Sequence, residues 1–207
     1  MGPSGLVVFD LDGTLLRGPT VCEVLAARLG RLDKMRSFET LTSEYEIARA
    51  RIEMARWYNG ISRGQLVSFL EAAEWAPGTF EGVACLRAAG VELGVASITW
   101  NFAVEWFATR LGIARVLGTG LGEDGTIHHV WPRHKAAWLR ALVSQLGLPK
   151  ERTAAVGDSS GDLAMLHVAV LRFYVGVQPP FGLTCVHIPH GNILDVAQHI
   201  LAQWELG

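Results

Sequence analysis

The sequence predicts an α/β fold with a mostly parallel sheet, and three observations support this class. Residues 6–9 (Leu-Val-Val-Phe) form an unbroken apolar run, which is typical of a short strand buried on both faces. From residue 79 onward, short apolar runs alternate with helical patterns, as in βαβ units. Residues 17–77 instead have helical patterns and no strand candidate, so we expect a helical insertion after the first strand.

Capping and turn residues delimit the helices of the insertion. A helical pattern over residues 21–29 ends at Gly30, and residues 38–58 are strongly helical in composition before an Asn-Gly pair. Ser62 and Gln65 fit a capping box that begins a helix ending near residue 73. A Pro-Gly pair at residues 77–78 then ends the insertion.

The remaining chain alternates between the two element types. Helices are expected over residues 80–89, 102–111, 135–146, 161–167 and 192–203. Strands are expected over residues 91–96, 113–121, 126–131, 153–156, 170–177 and 184–188, with a hairpin turn at residues 123–125.

Composition limits the classes of function. Half of the 207 residues are hydrophobic and 18% are charged, which argues against a disordered chain. A net charge of −2 provides no basic surface for nucleic acid or for an anionic membrane. The three cysteines are odd in number and far apart, and no apolar stretch is long enough to span a membrane. We therefore expect a cytoplasmic protein with no nucleic-acid or membrane partner.

Polar side chains occur where the predicted strands end. Because parallel strands present their carboxyl ends at one edge of a sheet, we expect these side chains to converge there. The residues are Asp10 and Asp12 after the first strand, Ser97 after the second, Asp158 after the third, Asp162 four residues later, and Lys135 in the first turn of a helix.

This set of side chains suits phosphoryl transfer. Converging carboxylates repel one another unless a hard cation lies among them, and oxygen ligands are those that Mg²⁺ prefers. Asp10 would attack phosphorus and form an aspartyl-phosphate, and Asp12 would serve as general acid and then general base. The metal and Lys135 would supply positive charge, and the Ser97 hydroxyl with nearby backbone N–H groups would hold the remaining phosphoryl oxygens.

The motifs resemble those of the haloacid dehalogenase-like (HAD) superfamily, on its phosphoserine-phosphatase-like branch. The first motif is Asp10-Leu11-Asp12-Gly13-Thr14, and the fourth is Gly157-Asp158-Ser159-Ser160-Gly161-Asp162. Ser97 matches the second motif and Lys135 the third.

The resemblance implies a Rossmann-like three-layer core formed by residues 1–16 and 78–207, with residues 17–77 as a helical cap. It implies a Mg²⁺-dependent phosphomonoester hydrolase that acts on a small phosphorylated metabolite. The expected roles are as follows: Asp10 and Asp12 are catalytic; Ser97, Ile98 and Lys135 bind the substrate phosphate; Asp10, Asp12 (through its backbone carbonyl) and Asp158 hold the metal; and Asp162 supports the metal's waters.

The sequence does not identify the substrate, because the chain departs from the phosphoserine phosphatase pattern. Pro19 stands where those enzymes carry a glutamate for the substrate ammonium, and Glu23 follows four residues later. The second motif continues Ile98-Thr99 rather than Gly-Gly. Four insertion arginines could bind a substrate carboxylate: Arg49, Arg51, Arg56 and Arg63.

Two other functions use the same residues. Residues 157–161 also fit G-x-S-x-G, so a serine hydrolase with Ser159, Asp195 and His199 is one alternative. A non-catalytic phospho-acceptor or interaction protein is another, since such modules also combine carboxylates, a hydroxyl and a lysine.

Overall fold

The computed structural model describes residues 2–189 and 191–206. No helix within these ranges is both long and apolar enough to cross a membrane. The strands of this part of the chain are β1 (Gly5–Phe9), β2 (Leu16–Arg17), β3 (Glu74–Trp75), β4 (Val91–Trp100), β5 (Arg115–Leu121), β6 (Ile127–His128), β7 (Thr153–Gly157), β8 (Leu171–Tyr174) and β9 (Val186–His187). Its α-helices are α1 (Val21–Arg28), α2 (Leu32–Glu39), α3 (Glu44–Trp57), α4 (Arg63–Phe69), α5 (Thr79–Ala88), α6 (Asn101–Arg110), α7 (Pro132–Leu146), α8 (Leu163–Leu166) and α9 (Ile193–Trp204).

Strand β1 lies at the centre of the main sheet, whose order is β6-β5-β4-β1-β7-β8-β9. It pairs in parallel with β4 on one side and with β7 on the other. Only the β5–β6 pair of this sheet, among the described residues, is antiparallel. The carboxyl ends of β1, β4 and β7 therefore meet at one edge, as the sequence predicted.

Helices cover both faces of the sheet because β1 is apolar on both sides. Val7 and Phe9 are fully buried and belong to the core formed with α5, α6 and α9. Leu6 and Val8, which alternate with them, are fully buried in the second core with α7 and α8. The predicted α/β class with a three-layer core and a mostly parallel sheet is confirmed.

Residues 17–77 contain helices α1–α4, but two details differ from the prediction. Glu74–Trp75 forms a short strand, β3, which pairs with β2 as an antiparallel ribbon; a two-residue strand has no alternating pattern to detect. The helix expected over residues 38–58 begins later, as α3 (Glu44–Trp57), and α2 (Leu32–Glu39) is a helix that was not predicted. Helix α2 buries only Met35 and has no side-chain cap, so its sequence carries little helical signal. The boundaries of a separate cap at residues 17 and 77 stay a prediction.

Helices α5 and α9 approach each other closely at Gly82. A β-carbon at Gly82 would lie 2.5 Å from the carbonyl oxygen of Ile193, the first residue of α9. That oxygen belongs to the backbone, so it cannot move aside as a flexible side chain can. The lack of a side chain at Gly82 therefore allows α9 to pack against the sheet beside α5.

We predict opposite effects for two glycine-to-alanine substitutions in helices. Gly82→Ala should lower the free energy of unfolding by about 1–3 kcal/mol, because the new methyl group overlaps backbone. Gly64→Ala in α4 is the matched control: its β-carbon would meet nothing closer than 3.9 Å. That substitution should raise the free energy of unfolding by about 0.4–1 kcal/mol. Urea unfolding of both variants measures the effect, and equal stabilisation by the two would contradict the packing argument.

Candidate active site

The turn after β1 brings the first two carboxylates to the edge of the sheet. The Asp10 amide donates to the Val156 carbonyl at 2.9 Å, which ties the end of β1 to β7. Gly13 then has a left-handed φ of 79°, and a β-carbon there would overlap the Asp158 carboxylate. A glycine at this position therefore lets the turn and the loop after β7 come into contact.

The predicted site residues come together at this edge. Asp10 follows β1, Ser97 lies near the end of β4, and Asp158 follows β7. Asp162 lies in the helical turn before α8, and Lys135 lies in the first turn of α7. Asp10, Ser97, Lys135 and Asp162 are all buried.

The Lys135 ammonium bridges two buried carboxylates. Its Nζ lies 2.5 Å from Asp10 Oδ1 and 2.7 Å from Asp162 Oδ1. Burial lowers the pKa of Lys135, but the two carboxylates outweigh burial and raise that pKa overall. Burial and the nearby Asp162 charge raise the pKa of Asp10 well above its usual range, against the opposing effect of Lys135. One ammonium thus leaves excess negative charge at the site.

Asp162 holds the loop after β7 in place. Its Oδ2 accepts hydrogen bonds from the Asp158 amide at 3.1 Å, the Ser159 amide at 3.2 Å and the Ser159 hydroxyl at 3.1 Å. Its Oδ1 accepts the bond from Lys135. Both oxygens of Asp162 are therefore occupied by protein donors.

Asp12 is oriented by the first helix of the insertion. The Val21 amide, at the start of α1, donates to Asp12 Oδ1 at 2.7 Å. Burial raises the pKa of Asp12 to about 7, although the Val21 hydrogen bond opposes the shift. A carboxyl group with a pKa near neutrality can both donate and accept a proton at physiological pH.

The carboxylates fit a divalent cation. Asp10, Asp158 and Asp162 each offer an oxygen, and these atoms lie within 4.8 Å of one another. Burial, followed by the Asp162 charge, raises the pKa of Asp158 to about 6. A buried, oxygen-only cluster whose carboxylates have raised pKa values is stabilised by a hard cation such as Mg²⁺.

The predicted phosphate-binding residues of β4 lie beside Asp10. Ser97 Oγ accepts a hydrogen bond from the Thr99 amide at 3.1 Å, which leaves the hydroxyl hydrogen free to donate. The Ile98 carbonyl accepts bonds from Thr119 Oγ1 and Arg51 Nη2, both at 2.8 Å. Ser97 and Ile98 thus belong to a hydrogen-bonded segment of β4, where its register with β5 shifts between Ala96 and Trp100.

A cavity of about 500 Å³ opens above the carboxylates, between them and the insertion. The side chains that line its far wall are mainly apolar: Met35, Phe38, Leu41, Ile47, Ala50 and Met54. Two charged residues of the insertion also line it, Arg51 and Glu39.

Glu39 was not among the predicted site residues, and the sequence pattern did not distinguish Arg51 from three other arginines of the insertion. Glu39 accepts a hydrogen bond from the Thr20 hydroxyl at 2.9 Å, a contact between separate helices that no local pattern reveals. Arg51 shares the buried side of α3 with Ala50 and Met54. The three-residue spacing from Arg51 to Met54 is a signal that could have identified it.

The alternative serine hydrolase site is not assembled. Ser159 Oγ donates to Asp162, and no histidine contacts it within residues 2–189 and 191–206. His199 instead bonds to the Asp195 carbonyl one turn earlier in α9 and is exposed.

Comparison with known proteins identifies relatives along most of the chain. The family model described as haloacid dehalogenase-like hydrolase matches residues 7–167. Phosphoserine phosphatase SerB2 of Mycobacterium tuberculosis is 31% identical over 183 residues, which are 84% of this chain and 44% of that protein. The chain thus spans less than half of the mycobacterial relative. Phosphoserine phosphatase of Idiomarina loihiensis is 27% identical over 208 residues, covering 93% of this chain and 92% of that one.

Solved structures share the fold at low sequence identity. A substrate-bound phosphoserine phosphatase complex has a TM-score of 0.79 at 18% identity and covers 94% of this chain and 97% of its own. A phospho-aspartyl intermediate analogue of phosphoserine phosphatase has a TM-score of 0.70 at 19% identity, covering 83% and 86%.

We predict that Asp10→Asn stabilises the protein when divalent cations are absent. At pH 8 the substitution removes a buried negative charge, so the free energy of unfolding should rise by about 0.5–2 kcal/mol. Because the folded-state pKa of Asp10 is raised, lowering the pH protonates the carboxyl and stabilises the wild type. The difference between the two proteins should therefore shrink from pH 8 to pH 5.

Urea unfolding in the presence of a chelator measures this difference. The exposed Asp33→Asn variant is the charge-matched control and should be neutral at both pH values. An Asp10→Asn protein less stable than the wild type at pH 8 would show that the Lys135 bridge outweighs the burial of charge.

Proposed function

Because the chain belongs to the haloacid dehalogenase-like hydrolase family, on its phosphoserine-phosphatase-like branch, we propose that it is a Mg²⁺-dependent phosphatase of small phosphorylated metabolites. The observation that carries the proposal is the buried Asp10 carboxylate, held by Lys135 at the carboxyl edge of the sheet beside Asp12 and Asp158. The serine hydrolase hypothesis requires a histidine on Ser159, and none of the described residues supplies one. The family is one of enzymes rather than of non-catalytic modules.

Asp10 is the nucleophile in this proposal. Its carboxylate oxygen attacks the substrate phosphorus, and the bond from phosphorus to the alcohol oxygen breaks, leaving an aspartyl-phosphate. The Lys135 ammonium fixes the carboxylate for this attack through its 2.5 Å contact. Lys135 also offsets part of the repulsion between Asp10 and the phosphate, about 4 kcal/mol per pair of unit charges 4 Å apart at an effective dielectric of 20.

Asp12 moves the protons. Its carboxyl group donates a proton to the departing alcohol, and the resulting carboxylate takes a proton from the water that attacks the aspartyl-phosphate. That attack breaks the bond between phosphorus and Asp10 and releases inorganic phosphate. A pKa of about 7 makes both protonation states of Asp12 accessible at neutral pH, and the Val21 amide keeps its orientation in both steps.

Three residues bind the phosphoryl oxygens in this proposal. The Ser97 hydroxyl and the Ile98 backbone lie at the end of β4, and Lys135 approaches from α7. These groups are fixed hydrogen-bond donors at the position where negative charge develops on the phosphoryl oxygens. Such electrostatic stabilisation is the main source of rate enhancement in phosphoryl transfer.

The cation would be held by the Asp10 and Asp158 carboxylates and by the Asp12 backbone carbonyl. Asp162 would support the cation's waters, and the four protein donors on its oxygens show that it also orients the loop after β7. Mg²⁺ supplies positive charge that stabilises the carboxylates and the phosphoryl oxygens.

We assign substrate selection to residues 17–77, acting as a cap over the cavity. Pro19 provides no carboxylate for a substrate ammonium, whereas Glu39 is an acid that reaches the cavity from α2. The apolar side chains on the far wall leave room for an alcohol larger than serine. Phosphoserine is therefore one candidate among small phosphorylated metabolites.

We predict that Asp10→Asn abolishes turnover of p-nitrophenyl phosphate, with a loss of more than about 10³-fold. Chelation by EDTA should abolish it as well, and added Mg²⁺ should restore it. Ser159→Ala should retain activity within about tenfold, because Ser159 only donates to Asp162. Activity that survives Asp10→Asn and EDTA but is lost in Ser159→Ala would establish the serine hydrolase instead.

Asp12→Asn should separate the two chemical steps. An alkyl phosphate needs a proton on its leaving oxygen, so its turnover should fall by about 10²–10⁴-fold. p-Nitrophenolate leaves without a proton, so stopped-flow should detect a burst of about one equivalent of p-nitrophenol, followed by slow dephosphorylation. Wild-type protein provides the control. Equal losses for the two substrates, with no burst, would count against Asp12 as the acid.

A further inference from the structure

Arg51 crosses from helix α3 of the insertion into the core. It is only 4% exposed, and its Nη2 donates to the Ile98 carbonyl at 2.8 Å and to the Val130 carbonyl at 3.2 Å. Its Nη1 lies 3.1 Å from His129 Nδ1, and its guanidinium lies over the Trp131 ring at 4.6 Å from the centroid. The side chain thus contacts two core segments at once.

Thr119 connects the same two segments from the other side. Its hydroxyl donates to the Ile98 carbonyl at 2.8 Å and accepts from the Val130 amide at 3.2 Å. Arg51 and Thr119 therefore complete a partly buried ring of hydrogen bonds through Ile98 and Val130. Removing one member of the ring leaves carbonyl groups short of a donor, which costs free energy. The ring therefore resists displacement of its members.

Each of the two segments leads directly to a residue of the active site. Ile98 follows Ser97, whose hydroxyl we place on the substrate phosphate. Trp131 precedes Pro132, where α7 begins, and Lys135 lies in the first turn of that helix. A shift of either segment would therefore move a phosphate-binding group.

The contacts of Arg51 are made with neutral groups. No carboxylate of the described residues forms an ion pair with it, and two backbone carbonyls occupy the two Nη2 hydrogens. Burial lowers the pKa of Arg51 to about 10, and burial with the Arg51 charge lowers that of His129, which favours the neutral imidazole as acceptor. The guanidinium thus mainly connects the Ile98 segment to the Val130 segment of the core.

We propose that Arg51 is a positioning residue that couples the insertion to the phosphate-binding groups. When α3 lies over the sheet, Arg51 fixes the end of β4 and the start of α7, so Ser97 and Lys135 take their catalytic positions together. This inference rests on the proposed function, since it assumes that Ser97 and Lys135 bind phosphate. It assigns Arg51 a role that does not depend on the chemistry of the leaving group.

Steady-state kinetics with two substrates test the inference. Arg51→Lys and Arg51→Gln are compared with Arg49→Gln, which removes an exposed arginine from the same helix. p-Nitrophenyl phosphate has no carboxylate, whereas phosphoserine has one. Both Arg51 variants should lose about 10- to 100-fold in kcat on both substrates by similar factors, and Arg49→Gln should match the wild type.

Two kinetic outcomes would overturn the inference. A loss confined to phosphoserine and expressed in KM would make Arg51 a ligand of the substrate carboxylate instead. An unchanged kcat on both substrates would show that Arg51 positions nothing that catalysis needs. Thr119→Val removes the other member of the ring. If the Arg51 variants fail to fold, the kcat of Thr119→Val on both substrates replaces theirs, and an unchanged kcat again contradicts the inference.

Hydrogen–deuterium exchange gives a readout that does not need activity. Amides of residues 130–137 should exchange faster in Arg51→Gln, or in Thr119→Val, than in Arg49→Gln; equal exchange would contradict the inference. If the wild type turns over neither substrate, the proposed function fails, and exchange alone decides whether Arg51 positions these segments.

Discussion

The buried bridge from Lys135 to Asp10 and Asp162 is the interaction on which the site depends. It connects the end of β1, the first turn of α7 and the loop before α8, three elements that are distant in the sequence. Buried ion pairs of this kind contribute little net stability, because both partners lose their hydration. Their geometry is nevertheless well defined, and the surrounding excess of negative charge favours the binding of a cation.

The insertion makes direct hydrogen bonds to the candidate site. Its first helix donates a hydrogen bond to Asp12, and its third helix sends Arg51 into the core. Both contacts come from the backbone or side chains of regular helices, which hold their direction better than loops do. The arrangement explains how a cavity that is apolar on one wall and anionic on the other can be assembled from two parts of one chain.

Most of the fold and the convergence of the candidate site residues could be predicted from the sequence, because both have local signals. The apolar run before Asp10 and the alternation after residue 79 indicated the parallel sheet, and the sheet places the strand ends together. Helix α2 and strand β3 were missed because one buries a single side chain and the other has two residues. The contacts of Arg51 and Glu39 depend on how the insertion lies over the core, which no local pattern specifies.

The hydrogen bond from Val21 to Asp12 limits how this enzyme can be re-engineered. A chimera that exchanged the whole insertion would remove the Val21 amide that donates to Asp12, together with Arg51. Helix α2 makes neither contact: it buries only Met35, and it contributes Met35, Phe38 and Glu39 to the lining of the cavity. Directed evolution of specificity is therefore best confined to residues 32–41. Substitutions there leave the candidate site residues and the contacts of Val21 and Arg51 unchanged.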